Sequence, residues 1–147
     1  MLTITKRLEF DAGHRIPDHK GQCWNVHGHR YVLEVTLVGE PMNQPGTSDH
    51  GMLMDFSDVT RVAREHLVDA WDHAFLVFEG DDAVRKLLAA IPNHKTVVLD
   101  RVPTVENLAA IAFELLRRVY DARFGNELSL TRIRLFETPN CWADCSS

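Results

Sequence analysis

The sequence predicts an α+β domain: a four-stranded antiparallel sheet in the order ββααββ, with two helices on one face. Three observations lead there. Apolar and polar residues alternate near both ends of the chain, as half-buried strands require. Between those ends lie two stretches whose apolar residues recur at helical spacing. No repeat, low-complexity tract or linker interrupts the 147 residues, so one domain spanning 1–147 is expected.

The first strand is read from Leu2, Ile4, Leu8 and Phe10, which alternate with Thr3, Thr5, Arg7 and Glu9. Residues 15–28 contain Pro17, Asp18, Gly21, Asn25 and Gly28, a turn-rich loop carrying Cys23. Tyr31, Leu33, Val35 and Leu37 mark a second strand, and antiparallel pairing with the first would bring His14 towards His27 and His29. Pro41 to Gly51 reads as a loop, and Met52-Leu53-Met54 as an extended lead-in. Ser57 is the expected N-cap of the first helix, whose apolar face is Val59, Val62, Ala63, Leu67 and Ala70. The second helix follows Pro103-Thr104 and carries Leu108, Ala109, Ala112, Leu115, Leu116 and Val119 before ending near Gly125. Ile133 and Leu135 define a third strand running into Glu137, and Asn140 to Asp144 a short fourth.

Composition narrows the function. Sixteen basic and twenty-one acidic residues give a net charge of −5, which argues against a nucleic-acid groove. No stretch approaches the roughly 20 apolar residues of a membrane span. Met1-Leu2-Thr3-Ile4 enters a strand pattern directly, without the basic and apolar regions of a secretion signal, so a cytoplasmic protein is expected. Three cysteines, Cys23, Cys141 and Cys145, do not make a disulfide framework. Cys141 and Cys145 lack local partner ligands and read as structural or incidental.

The chemistry concentrates near the first loop. His27 and His29, two apart on an extended segment, project to one side of a strand and can share a metal. His14 follows Phe10 and Ala12 at the same period, so a paired strand can bring its ring to that point. Three imidazoles without an obligatory fourth protein ligand suit a catalytic zinc with one position open, with copper and iron as the alternative metals. His19, in a looser loop position, is the rival third ligand. Cys23 leaves two readings open: a fourth ligand that closes the site, or a nearby thiolate that abstracts a proton. Asp72-His73, at the exit of the first helix, is either an oriented acid–base pair or a histidine complementing the helix dipole. Glu137 is either a solvated strand-end acid or a carboxylate accepting paired N–H donors from a flat heterocycle.

Taken in order, Phe10-Asp11-Ala12-Gly13-His14-Arg15, Cys23-x3-His27-Gly28-His29, Gly51-Met52-Leu53-Met54-Asp55-Phe56, Trp71-Asp72-His73, Pro103-Thr104-Val105-Glu106-Asn107 and Phe136-Glu137-Thr138 resemble the 6-pyruvoyltetrahydropterin synthase family over nearly the whole chain. The three-residue gap between Cys23 and His27 is similar to its bacterial 6-carboxytetrahydropterin synthases of queuosine biosynthesis. Trp24 departs from the small or basic residue expected after the cysteine, and segments 40–50 and 80–100 are longer than in compact members.

The resemblance implies the tunnelling fold, in which three subunits join their sheets into a barrel and two trimers stack into a homohexamer. It implies one Zn2+ per subunit on His14, His27 and His29, and Cys23 as proton acceptor. His73 would be its relay partner, supported by Asp72, with Glu137 anchoring the pterin and serving as a further relay carboxylate. Thr104 and Glu106 would lie close to the pterin. The implied reaction converts 7,8-dihydroneopterin triphosphate to 6-carboxy-5,6,7,8-tetrahydropterin, acetaldehyde and triphosphate. Two alternatives remain at this level: the pyruvoyl synthase reaction on the same constellation, and a non-catalytic pterin- or zinc-binding module with Cys23 on the metal. Arg15, Lys20 and Arg30 flank the site and are candidate triphosphate ligands.

Overall fold

Strands β1 (Leu2–His14) and β2 (His27–Gly39) pair antiparallel along their whole length, from Leu2 opposite Gly39 to His14 opposite His27. The computed structural model, which describes residues 1–147, continues that sheet through β5 (Leu128–Thr138) and β6 (Cys141–Ser146), both antiparallel additions. This part agrees with the expected antiparallel strands. Two further strands correct the expectation. β3 (Ala74–Phe78) pairs parallel with β1, and β4 (Thr96–Leu99) pairs parallel with β3. The sheet is therefore mixed and six-stranded, in the order β4-β3-β1-β2-β5-β6.

The missed strands have a physical reason. Ala74-Phe75-Leu76-Val77-Phe78 is apolar throughout because β3 is covered on both faces, so no alternation marks it. Ala74 and Leu76 join the main core, while Phe75 and Val77 pack with Val84 and Leu88 of helix α3 (Asp82–Ala89). Successive strand residues face opposite ways, so α3 lies on the face away from the other helices. Helices thus cover both faces, not one.

The main core lies between the sheet and two long helical stretches. The first begins as α1 (Phe56–Ala63), passes through a π-helical turn at Arg64–Val68 and ends as α2 (Asp69–Trp71). Its N-cap is Asp55, not Ser57: the Ser57 N–H and hydroxyl both donate to the Asp55 carboxylate, at 2.7 and 2.6 Å. The wider π turn changes the phase of the apolar face. Val68 and Trp71 are buried where uniform 3.6-residue spacing pointed to Ala70, which is exposed. Met52-Leu53-Met54 forms no strand. Helix α4 (Val105–Phe124) is capped by Thr104 and closed by Gly125, as read, although Phe113 and Tyr120 bury more fully than Leu115 and Val119. No helix is long and apolar enough to cross a membrane.

Candidate active site

Strand parity builds the histidine cluster. Leu8, Phe10 and Ala12 of β1 and Tyr31, Leu33 and Val35 of β2 face the core, and His14, His27 and His29 continue those rows. The β1–β2 register sets His14 opposite His27 and Ala12 opposite His29. The three rings lie 4.6 to 5.1 Å apart, centroid to centroid. Gly28 separates the pair because a Cβ there would stand 3.0 Å from the Ala12 carbonyl oxygen.

Hydrogen bonding aims the rings. The His14 Nδ1–H donates to the Pro103 carbonyl at 2.8 Å, and the His27 Nδ1–H to the Asn25 carbonyl at 2.6 Å. A carbonyl oxygen only accepts, so both rings carry their proton on Nδ1 and present an Nε2 lone pair. Those Nε2 atoms stand 3.1 Å apart, and the buried Nε2 of His29 has no hydrogen-bond partner. Convergent lone pairs and an orphaned nitrogen are poorly satisfied within the chain but fit a divalent cation. Burial, opposed by the Pro103 carbonyl and reinforced by His27 and His29, pulls the pKa of His14 down to about 4. His29 is likewise lowered by burial, with the Glu137 charge opposing. Both imidazoles are therefore neutral near pH 7, as metal ligation requires.

The cluster adjoins a cleft of about 530 Å³ lined by Ile16, Cys23, Thr104, Glu106, Glu137 and Cys141. Cys23 sits in a single 3₁₀ turn, Gln22–Trp24, held where the Ile16 N–H donates to the Cys23 carbonyl at 2.8 Å. Its sulfur is not among the histidine donor atoms that lie within 4.8 Å of one another. Glu137 continues the inward row of Ile133 and Leu135. The β5–β6 register steps from Phe136 opposite Trp142 to Thr138 opposite Cys141, leaving Glu137 as the extra residue of a bulge. Its carboxylate faces the cluster, 3.4 Å from His14 Nε2 and 3.7 Å from His29 Nε2. The Thr104 hydroxyl oxygen accepts from the Asn107 N–H as the α4 cap, and Glu106 follows in the first turn.

Asp72 and His73 occupy a different place. Asp72 ends the first helical stretch, and His73 takes a left-handed backbone, φ 61°, unusual for a residue with a Cβ. The His73 ring meets the Asp72 carboxylate at 3.0 Å while its side chain remains 76% exposed. The Asp11 N–H donates to Asp72, and with the His73 contact this keeps the carboxyl below its ordinary range against the opposing effect of burial. His73 borders a shallow depression with Asp11, Gly13 and Arg30, not the cleft of Cys23. The pair is formed, but a single chain does not bring it to Cys23.

Two of the expected anion ligands are already engaged. Arg15 makes two 2.7 Å hydrogen bonds to Asp81, and Arg30 pairs with Glu9 and Asp11 at 3.1 and 3.0 Å. Lys20 alone of the three makes no ion pair. His19 lines the cleft but stands outside the histidine cluster, donating nothing to it; its Nδ1 accepts from the Gly21 N–H. Sequence reading missed the Pro103 and Asn25 carbonyls that orient the imidazoles, which no side-chain motif signals. It also missed Lys95, whose ammonium donates to the Asp69 and Asp72 carbonyls at 2.6 Å each.

Fold and site together define an α+β protein with a three-imidazole cluster able to hold a metal ion, beside a thiol-bearing cleft. Residues 3–147 match the family model described as 6-pyruvoyl tetrahydropterin synthase, and the chain belongs to that family. It is 35% identical to the 6-carboxy-5,6,7,8-tetrahydropterin synthase of Rickettsia bellii over 145 residues, covering 98% of this chain and 99% of that protein. The Haemophilus influenzae protein of the same name is 32% identical over 147 residues, covering 98% of each. The Caenorhabditis elegans 6-pyruvoyl tetrahydropterin synthase structure superposes with a TM-score of 0.67 at 26% identity, covering 99% and 95% of the two chains.

Proposed function

We propose that this chain is a zinc-dependent 6-carboxy-5,6,7,8-tetrahydropterin synthase of queuosine biosynthesis, acting on 7,8-dihydroneopterin triphosphate and releasing acetaldehyde and triphosphate. The observation that carries the reading is the set of converging imidazole lone pairs beside the Cys23 cleft. Relatives bearing the carboxy name over their full length, and the short Cys23–His27 spacing, favour this product over the pyruvoyl one.

His14, His27 and His29 would hold the zinc, which when bound supplies Lewis-acid stabilisation of charge developing on the side-chain oxygens. Cys23, as thiolate, takes a proton from a side-chain carbon of the substrate. Glu137 accepts hydrogen bonds from the 2-amino and N3–H edge of the pterin and orients the ring. Thr104 and Glu106 border the same space. His73, its ring oriented by Asp72, passes the proton on. Since these two residues open on another surface of their own chain, the His73 that serves Cys23 comes from a second copy. Strands β4 and β6 leave a sheet edge at either side for that assembly, proposed as a cytoplasmic dimer of trimers.

Turnover of dihydroneopterin triphosphate by zinc-loaded protein, with every product identified, tests the function. Acetaldehyde and triphosphate formed in equal amounts support it. A product retaining all three side-chain carbons assigns the chain to the pyruvoyl reaction instead, and absence of turnover with zinc bound leaves only a binding module.

A further inference from the structure

We infer that Asp81 positions Cys23 from outside the active site, through an Arg15–Trp24 clamp; this rests on the reading of Cys23 as the proton acceptor. Cys23 belongs to the connection between β1 and β2, whose only regular element is the Gln22–Trp24 turn. Mostly local hydrogen bonds hold that connection, among them the His19 N–H to the Ile16 carbonyl, the Gly21 N–H to His19 Nδ1 and the His27 Nδ1–H to the Asn25 carbonyl. The Ile16 N–H reaches the Cys23 carbonyl, and turn hydrogen bonds tie Trp24 to Gly21 and Asn25 to Gln22. Side chains supply the lateral restraint. The Arg15 guanidinium lies over the Trp24 ring with its carbon 4.5 Å from the centroid, a cation–π contact next to Cys23 in the chain.

Arg15 is itself fixed. Its Nε and Nη2 donate to the two oxygens of Asp81 at 2.7 Å each, a planar fork that defines orientation as well as distance. The side chains of Arg15 and Asp81 are only 13% and 3% exposed, so the pair is shielded from solvent. Asp81 is anchored as the N-cap of α3, with its carboxylate accepting from the Val84 N–H at 3.4 Å and its own N–H donating to the Phe78 carbonyl at 2.9 Å. Phe75, Val77, Val84 and Leu88 seat α3 on β3. A packed helix start thus holds Asp81, Asp81 holds Arg15, and Arg15 presses on the residue after Cys23.

This network gives Trp24, Arg15 and the start of α3 a shared role. Because Arg15 is committed to Asp81, its role is to set the cysteine loop and not to grip triphosphate. Loss of the clamp should have two opposite consequences: a freer loop admits reagents to the thiol more often, yet holds it less often at the substrate carbon.

The test uses the full-length, zinc-loaded protein and compares Trp24→Ala, Trp24→Phe, Arg15→Lys and Asp81→Asn. Iodoacetamide labelling of Cys23 is followed by peptide mass spectrometry, which separates it from Cys141 and Cys145. Trp24→Ala and Asp81→Asn are expected to label Cys23 several-fold faster and to lose about 10–100-fold in kcat, with KM and zinc content little changed. Trp24→Phe keeps an aromatic face and should recover most of kcat, whereas Arg15→Lys loses the fork and should not. Unchanged labelling and kcat in Trp24→Ala overturn the proposal, as does failure of Trp24→Phe to restore either. Trp24 is exposed, so its variants remain informative if Asp81→Asn does not fold. Full activity of Cys23→Ala would instead overturn the proton-acceptor reading, while the labelling comparison still judges the clamp.

Discussion

The histidine cluster and the Asp72–His73 corner use similar side chains in opposite ways. His14 is completely buried, and backbone carbonyls fix the orientations of His14 and His27. His73 is mostly exposed, perched on a left-handed residue, and held by one carboxylate whose helix end is pinned by Lys95. One region is complete within a chain and suited to hold a cation. The other presents a polar ring outward, as a group that serves a second surface would. Strand pairing delivers rigidity at the first, and a helix terminus delivers reach at the second.

The most severe way to break this contrast is at the cluster. His27→Ala or His29→Ala removes an imidazole from the proposed three-ligand set, and zinc and turnover are expected to disappear together while assembly persists. Metal analysis, activity and size-exclusion chromatography report all three. Full zinc in both variants would exclude these ligands.

Next come the proposed proton-transfer groups. Cys23→Ala and His73→Ala should each lower turnover by about 10²–10⁴-fold with zinc retained. If Cys23 and His73 of different chains share a site, mixed oligomers of the two inactive variants should recover roughly a quarter of normal activity, the statistical share of intact pairs in a random mixture. No recovery after verified subunit exchange would place the relay within one chain or discard it.

Glu137 lies between cluster and cleft, so Glu137→Gln sharpens the boundary between them. Replacing an acceptor by an amide opposes one substrate donor and should weaken pterin or transition-state binding by about 2–4 kcal/mol. Zinc content should hold; its loss would transfer Glu137 from the pterin to the metal.

Acid should act on the buried region more than on the exposed one. In metal-free protein the pKa of His14 falls from its ordinary 6.5 to about 4, so the unfolded chain takes up the proton first as pH drops. The stability associated with neutral His14 is therefore full above pH 6.5, declines towards pH 4 and then levels, a change of up to roughly 3 kcal/mol. Denaturant titrations across that window, with His14→Gln as the control, measure it. Identical profiles for the two proteins would rule out His14 as the source.

The smallest effect belongs to Lys95. Lys95→Met removes donors from the Asp69 and Asp72 carbonyls at an exposed helix end, which is worth on the order of 1 kcal/mol. Turnover should drop a few-fold with zinc unchanged; wild-type kcat and melting temperature would show that His73 needs no such support.

Much of this was legible in one dimension. Period-two alternation in β1 and β2 set the facing of His14, His27 and His29, because strand geometry ties parity to a face. Thr104 and Gly125 announced the ends of α4 through their capping chemistry. Tertiary structure decided the rest. β3 carries no alternation since both its faces are covered, and the phase shift after Ala63 depends on a π turn absent from any simple helical period. The fates of Arg15 and Arg30, the bulge that aims Glu137 and the separation of His73 from Cys23 all depend on contacts distant in sequence. Local periodicity is imposed by backbone geometry and is written along the chain, whereas which charge meets which, and which face a loop residue finds, is set by packing in three dimensions.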